Sequence, residues 1–231
     1  MADAGDGQDK QWCFAWFAAD PPKTGSSKAA LVKDSKWDPG AVITIAFLDG
    51  TDEQKALVRR FASGWIDGLA NLNFSWVDGP DAMVRISFKF KGSWSVIGTT
   101  CKKVPKGQAT MNFGWLTPGV SDAEARRVIL HEFGHALGLI HEHQNPDHAI
   151  QWNEPAVIAD LSGPPNNWDL ATIRHNMFDA YPPNEVNGTK LDATSIMMYP
   201  IPASWTLDGT TSATNADLSP KDKSFIKQQY P

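Results

Sequence analysis

Residues 41–48, AVITIAFL, are apolar at almost every position and rich in β-branched side chains, the pattern of a strand buried on both faces. Asp49 and Gly50 then supply a turn. From there the period changes from two to four. Leu57, Phe61, Trp65 and Leu69 form the apolar stripe of a helix, and Thr51 with Gln54 provides a capping box to open it. Residues 74–77 predict a short strand and Asp78-Gly79-Pro80 a turn. Val84, Ile86, Phe88 and Phe90 then alternate with Arg85, Ser87 and Lys89, as in a strand with one face on the core and one in solvent. Ala109, Met111, Phe113 and Trp115 alternate in the same way. A second capping box, Ser121 with Glu124, opens a helix whose core face is Ile129, Phe133, Ala136 and Leu137.

Beyond residue 141 the texture loosens. Asn, Pro, Asp and Gly dominate, and shorter helices are predicted over 155–161, 169–180 and 220–230, the last behind an N-cap at Ser219. Residues 1–35 are polar and Gly/Pro-rich apart from the patch Trp12-Cys13-Phe14-Ala15-Trp16-Phe17, and read as an extension, either a pro-segment or an anchor. The remainder, 36–231, is one α+β unit with an upper lobe over about 36–140 and a loop-rich lower lobe over about 141–231.

The second helix carries the chemistry. In HEFGHALGLIH, His131 and His135 are four apart, one helical turn, so both imidazoles face one point. Gly138 lets the chain leave the helix through a left-handed cap and brings His141 to the same place. Three neutral imidazoles are the donor set of a catalytic Zn2+ with a fourth position open. Glu132, one position round from the first ligand, is placed to act on a metal-bound water as general base rather than to bind the metal. His143, His148 and His175 lack partners at ligand spacing and are expected at the surface or locally bonded.

The run HEFGHALGLIHEH together with Ser195-Ile196-Met197-Met198-Tyr199 resembles the astacin family of metzincin zinc endopeptidases, over a stretch from about Lys36 onward. The resemblance implies a zincin-like fold: a twisted, mostly parallel sheet with an antiparallel edge strand, two long helices and a loop-rich lower lobe. It makes the strand before the zinc helix, at 109–115, the edge that a peptide substrate joins. It also makes Tyr199 a weak fifth ligand that swings to the oxyanion, and Met197 the apolar floor of a Met-turn. This chain departs from the family pattern in having Met198 where histidine is usual and two cysteines where four are usual.

Composition narrows the rest. With 42% hydrophobic and 20% charged residues, and no apolar run long enough for a bilayer, the chain is expected to be a soluble globular protein without a membrane span. A net charge of -5 without a Lys/Arg cluster speaks against nucleic acid as partner. A peptide or protein substrate is expected, with a monomer acting on it. By family resemblance the protein is secreted or extracellular, though no signal peptide precedes the apolar patch. Cys13 and Cys101 allow one disulfide, which would pin the extension, or stand as two free thiols; the family resemblance offers a further alternative, in which Cys13 or Asp20 gives zinc a side chain and keeps the enzyme latent. The expected activity is hydrolysis of peptide bonds. The alternative from another class is a catalytically silent zinc module of the same fold acting in binding or adhesion, against which Glu132 stands.

Overall fold

The computed structural model describes residues 14–16, 31–144, 150–164, 166–179, 186–187 and 190–231. Strand β1 is Phe14–Trp16, β2 Leu31–Val32, β3 Val42–Phe47, and helix α1 Asp52–Ala62. Strands β4 Asn73–Trp76, β5 Val84–Ser87, β6 Ser93–Val96 and β7 Met111–Phe113 lead to helix α2, Asp122–Ala136. Then come α3 Glu154–Ser162, α4 Leu170–Ile173, β8 Val186–Asn187 and α5 Pro220–Gln229. The main sheet runs β1-β6-β7-β5-β3-β4, parallel throughout except where β6 meets β7. The short β2 and β8 pair separately. This is the α+β arrangement expected, a mostly parallel sheet with one antiparallel pairing.

One expectation fails. The strand at 109–115 is not the sheet edge: β7 lies between β5 and β6, paired on both sides. The antiparallel strand is β6, in the sequence SWSV, whose alternation of serine with Trp and Val spans only four residues. Its backbone takes the outer position, and β1 adds to it in parallel, with Phe14 opposite Trp94 and Trp16 opposite Val96.

The alternation at 84–90 also misleads. β5 stops at Ser87, and its polar positions are buried as deeply as its apolar ones. Arg85 is held inside because its guanidinium donates to the carbonyls of Ala82, Val104 and Gln108 at 2.7–3.0 Å, so a buried charge meets a ring of backbone dipoles. Ser87 donates to Asp49 at 2.7 Å.

Helix α1 begins as its sequence requires, with Thr51 and Gln54 bonded reciprocally. At α2 only half the box forms. Ser121 accepts from the Glu124 N–H, but the Glu124 carboxylate turns to Arg127, one helical turn on, in a two-pronged ion pair. The carbonyls that α2 presents without helical partners are met from outside it. Trp37 Nε1 donates to Ala136 O at 2.8 Å and the Tyr230 hydroxyl to Leu137 O at 2.6 Å. In mid-helix Trp65 Nε1 adds a bond to Leu130 O at 2.7 Å. The helix is therefore fixed along its axis by three polar ends of otherwise buried aromatic side chains.

Two cores result. The larger packs α1 and α2 on the sheet around Ile45, Ile86, Phe113 and Phe133. The smaller gathers Val157, Leu161, Ile173, Met198, Tyr199 and Trp205 beneath it. Trp115 packs against both.

Candidate metal centre

The histidines lie where the two cores meet. His131 and His135 face the same side of α2, and Gly138, with φ +96°, turns the chain so that His141 closes the group. One nitrogen from each ring lies within 4.8 Å of the others, and all three side chains are buried.

Proton positions follow from the neighbours. His131 Nδ1 is 2.8 Å from Ile196 O, and His135 Nδ1 is 2.8 Å from Leu139 O. A carbonyl only accepts, so each Nδ1 carries the proton. Burial, the largest cause, holds the pKa of His131 and His141 well below the usual histidine value and lowers that of His135 to about 4. The rings are therefore neutral, and the Nε2 atoms of His131 and His135 carry lone pairs. They face each other at 3.2 Å. Two lone pairs at this distance repel unless a cation lies between them, and tetrahedral ligands about 2.0 Å from one zinc stand roughly 3.3 Å apart. The residues fit the metal.

Glu132 follows His131 on α2 and is fully buried. The Met-turn runs beneath: Met197 N–H donates to Ser195 Oγ at 3.0 Å, and Met197 O accepts from Glu142 N–H at 3.0 Å. The Met197 sulfur lies so close to Gly134 that a Cβ there would overlap it. Tyr199 stacks over the histidines, its ring centroid 4.1 Å from His141 and 6.2 Å from His131. Glu142, next to the third histidine, accepts from Asp192 N–H at 2.9 Å, and burial lifts its pKa to about 8.

Of the two places expected for His143, the surface and a bonded position, it takes the second. It is 4% exposed, and its ring stacks on Tyr199 at 4.8 Å and beside His141 at 5.4 Å. Its Nε2 meets Asn176 O at 2.8 Å, while Nδ1 has no hydrogen-bond partner among the described residues. A 3-10 turn over Glu142–Gln144 brings it there, and such a turn leaves no mark in apolar periodicity. His175 is half exposed beside Asp179, as expected, and His148 lies outside the described residues.

Cys13 and Asp20 also lie outside them. Cys101 is a free thiol, 2% exposed in the large core, and the bridge to Cys13 that the sequence allows falls on a residue outside the described ones. Enclosure by apolar neighbours leaves its sulfur facing inward and lifts its pKa to about 11, chiefly through burial.

Residues 31–226 match the astacin family of peptidases. The chain belongs to this family. As an astacin it is a zinc-dependent endopeptidase of metzincin fold, and peptides or proteins are its substrates; the silent-module alternative is not favoured. A structure of myroilysin is 38% identical, covers 87% of this chain and 98% of its own, and superposes with a TM-score of 0.84. A crystal structure of myroilysin is 34% identical over 97% of this chain and 92% of its own, with a TM-score of 0.69. High choriolytic enzyme 1, a hatching enzyme zinc-protease from the medaka fish Oryzias latipes, shares the fold at 17% identity, covering 87% of this chain and 96% of its own, with a TM-score of 0.57. Among curated proteins none matches. No helix among the described residues is long and apolar enough to cross a membrane.

Proposed function

We propose that His131, His135 and His141 hold the zinc ion of this astacin, and that Glu132 is its general base. The reading is carried by one observation: two buried Nε2 lone pairs face each other at 3.2 Å, with both Nδ1 protons committed to carbonyls. Bound there, zinc supplies an acidified water and polarises the scissile carbonyl. Glu132 takes the proton from the attacking water and hands it to the leaving amine. Tyr199 would be a weak fifth ligand to the ion, and its hydroxyl would hydrogen-bond the oxyanion. Met197 closes the floor as an apolar surface against Gly134.

An extended peptide is the fitting substrate, because the outer side of β6, once β1 is displaced, would be a strand edge that binds backbone whatever the side chains. In this structure that side is occupied by β1, and its pairing with Ser93–Val96 supports reading residues 1–35 as a segment that gates the site. Within that reading Cys13 or Asp20 is the side chain offered to zinc. Action outside the cell as a monomer completes the proposal, following the family expectation; size-exclusion chromatography of secreted protein checks both parts.

The test is to incubate the protein with an unfolded protein, with and without a zinc chelator, and to sequence the fragments by mass spectrometry. Internal cleavages that vanish with the chelator and return with zinc are expected. Metal-loaded Glu132→Ala should keep zinc and fold but lose turnover; near-native cleavage by that variant would remove Glu132 from the mechanism. His135→Ala should lose the metal.

A further inference from the structure

The hydrogen bond from His131 to Ile196 is the first in a series. Ile196 O belongs to the peptide group whose N–H is that of Met197. This N–H donates to Ser195 Oγ at 3.0 Å, and the Ser195 hydroxyl donates to Asp222 Oδ1 at 2.7 Å. Every bond points the same way, from imidazole to peptide, from peptide to hydroxyl, from hydroxyl to carboxylate. Hydrogen bonds aligned in this sense polarise one another, and the anion at the far end gives the series its direction. The second carboxylate oxygen, Oδ2, accepts the N–H of Ile196 and that of Ser219, both at 2.9 Å, which fixes the carboxylate to the turn and to the start of α5. Asp222 and Ser195 are both buried, so solvent does not short-circuit the series.

His135 has no counterpart among the described residues. Its Nδ1 ends on Leu139 O, and no hydrogen bond continues from the Ile140 N–H of that same peptide group among the described residues. Of the two histidines on α2, it is His131 that is connected to a carboxylate.

We propose that Ser195 and Asp222 are positioning residues for the zinc site, acting on His131 through the Ile196–Met197 peptide to orient its ring and raise the donor strength of its Nε2. A metal-bound histidine commonly gives its other N–H to a carboxylate directly, and removing that partner weakens metal binding roughly 10- to 100-fold. Here the carboxylate stands two hydrogen bonds further off, on a helix remote in sequence. The inference rests on the histidines binding zinc.

The experiment measures zinc affinity of the full chain by competition with a chromogenic chelator, alongside the visible absorption of the cobalt-substituted protein. Asp222→Asn is expected to weaken zinc binding about 10-fold or more and to shift the cobalt bands, with kcat falling and KM little changed. Ser195→Ala, which keeps the Ile196 bond and the cap of α5, should do the same. The double variant should be no weaker than the worse single one, since both break one series. Ser219→Ala removes the side-chain cap of α5 and leaves the series intact; it should lower thermal stability while zinc affinity stays within about twofold. If Asp222→Asn does not fold, Ser195→Ala carries the test alone. Wild-type affinity and cobalt spectrum in Ser195→Ala, or additive losses in the double variant, would overturn the proposal. If instead wild type holds no zinc that His135→Ala loses, it is the assignment of the metal site that fails.

Discussion

Tyr199 has its ring against His141 and His143, and its proposed work is done only when charge appears on the substrate oxygen. Tyr199→Phe should therefore lower kcat by roughly 10- to 1,000-fold and leave KM nearly unchanged. Steady-state kinetics on one peptide decides it, and a pure KM effect would assign Tyr199 to ground-state binding. Cys101 tests a different physics. Its pKa of about 11 stands above the ordinary 9.0. Between those values the unfolded chain releases a proton that the folded chain keeps, so stability should fall as pH rises through this window, on the order of 2 kcal/mol. Chemical denaturation at about pH 8 and about pH 11 should show that loss, and Cys101→Ser should show less of it. At this scale the sequence is most legible where spacing encodes geometry: His131, His135 and His141 meet as their intervals require. The burial of His143 and Arg85 escapes such a reading because neither periodicity nor ligand spacing records a 3-10 turn or a nest of carbonyls.

Helices declare themselves through caps, and strands less well. The N-caps at Thr51, Ser121 and Ser219 are all in place. The predicted helix over 169–180 divides into α4, with Asp169 as its cap, and a π-helical turn over Arg174–Phe178. A strand such as β6 takes its identity from the neighbours it pairs with, since the alternation in SWSV spans only four residues. Helix α2 also packs closely on the Met-turn. A methyl at Gly134 would overlap Met197 and press on Trp65. Overpacking of this kind costs about 1–3 kcal/mol, against which Ala gains up to about 1 kcal/mol in helix propensity. Gly134→Ala is therefore expected to lower the Tm by several degrees and to weaken zinc binding, both readable by calorimetry with and without metal.

Over the whole molecule, the N-terminal segment has two consequences that separate cleanly. If β1 on β6 occupies the place of substrate, deleting residues 1–28 should raise the rate on peptides. If it is an anchor, the same deletion should lower the Tm and leave the rate no higher. Activity and melting temperature of the truncated protein, measured together, decide between them.

The bond from Tyr230 to Leu137 O spans 93 positions, and the Met-turn and Asp222 also follow α2 in the chain. Order of synthesis therefore matters. At roughly 5–20 residues per second, a ribosome that has finished the zinc helix takes about 5–20 s more to deliver the tyrosine that caps it. Through about the first two thirds of that interval His131 has no Ile196 to orient it and the floor of Met197 is missing. The three histidines exist as sequence well before they exist as a site, so a nascent chain is expected to gain its metal, and with it the power to cut its neighbours, only once the last helix has docked.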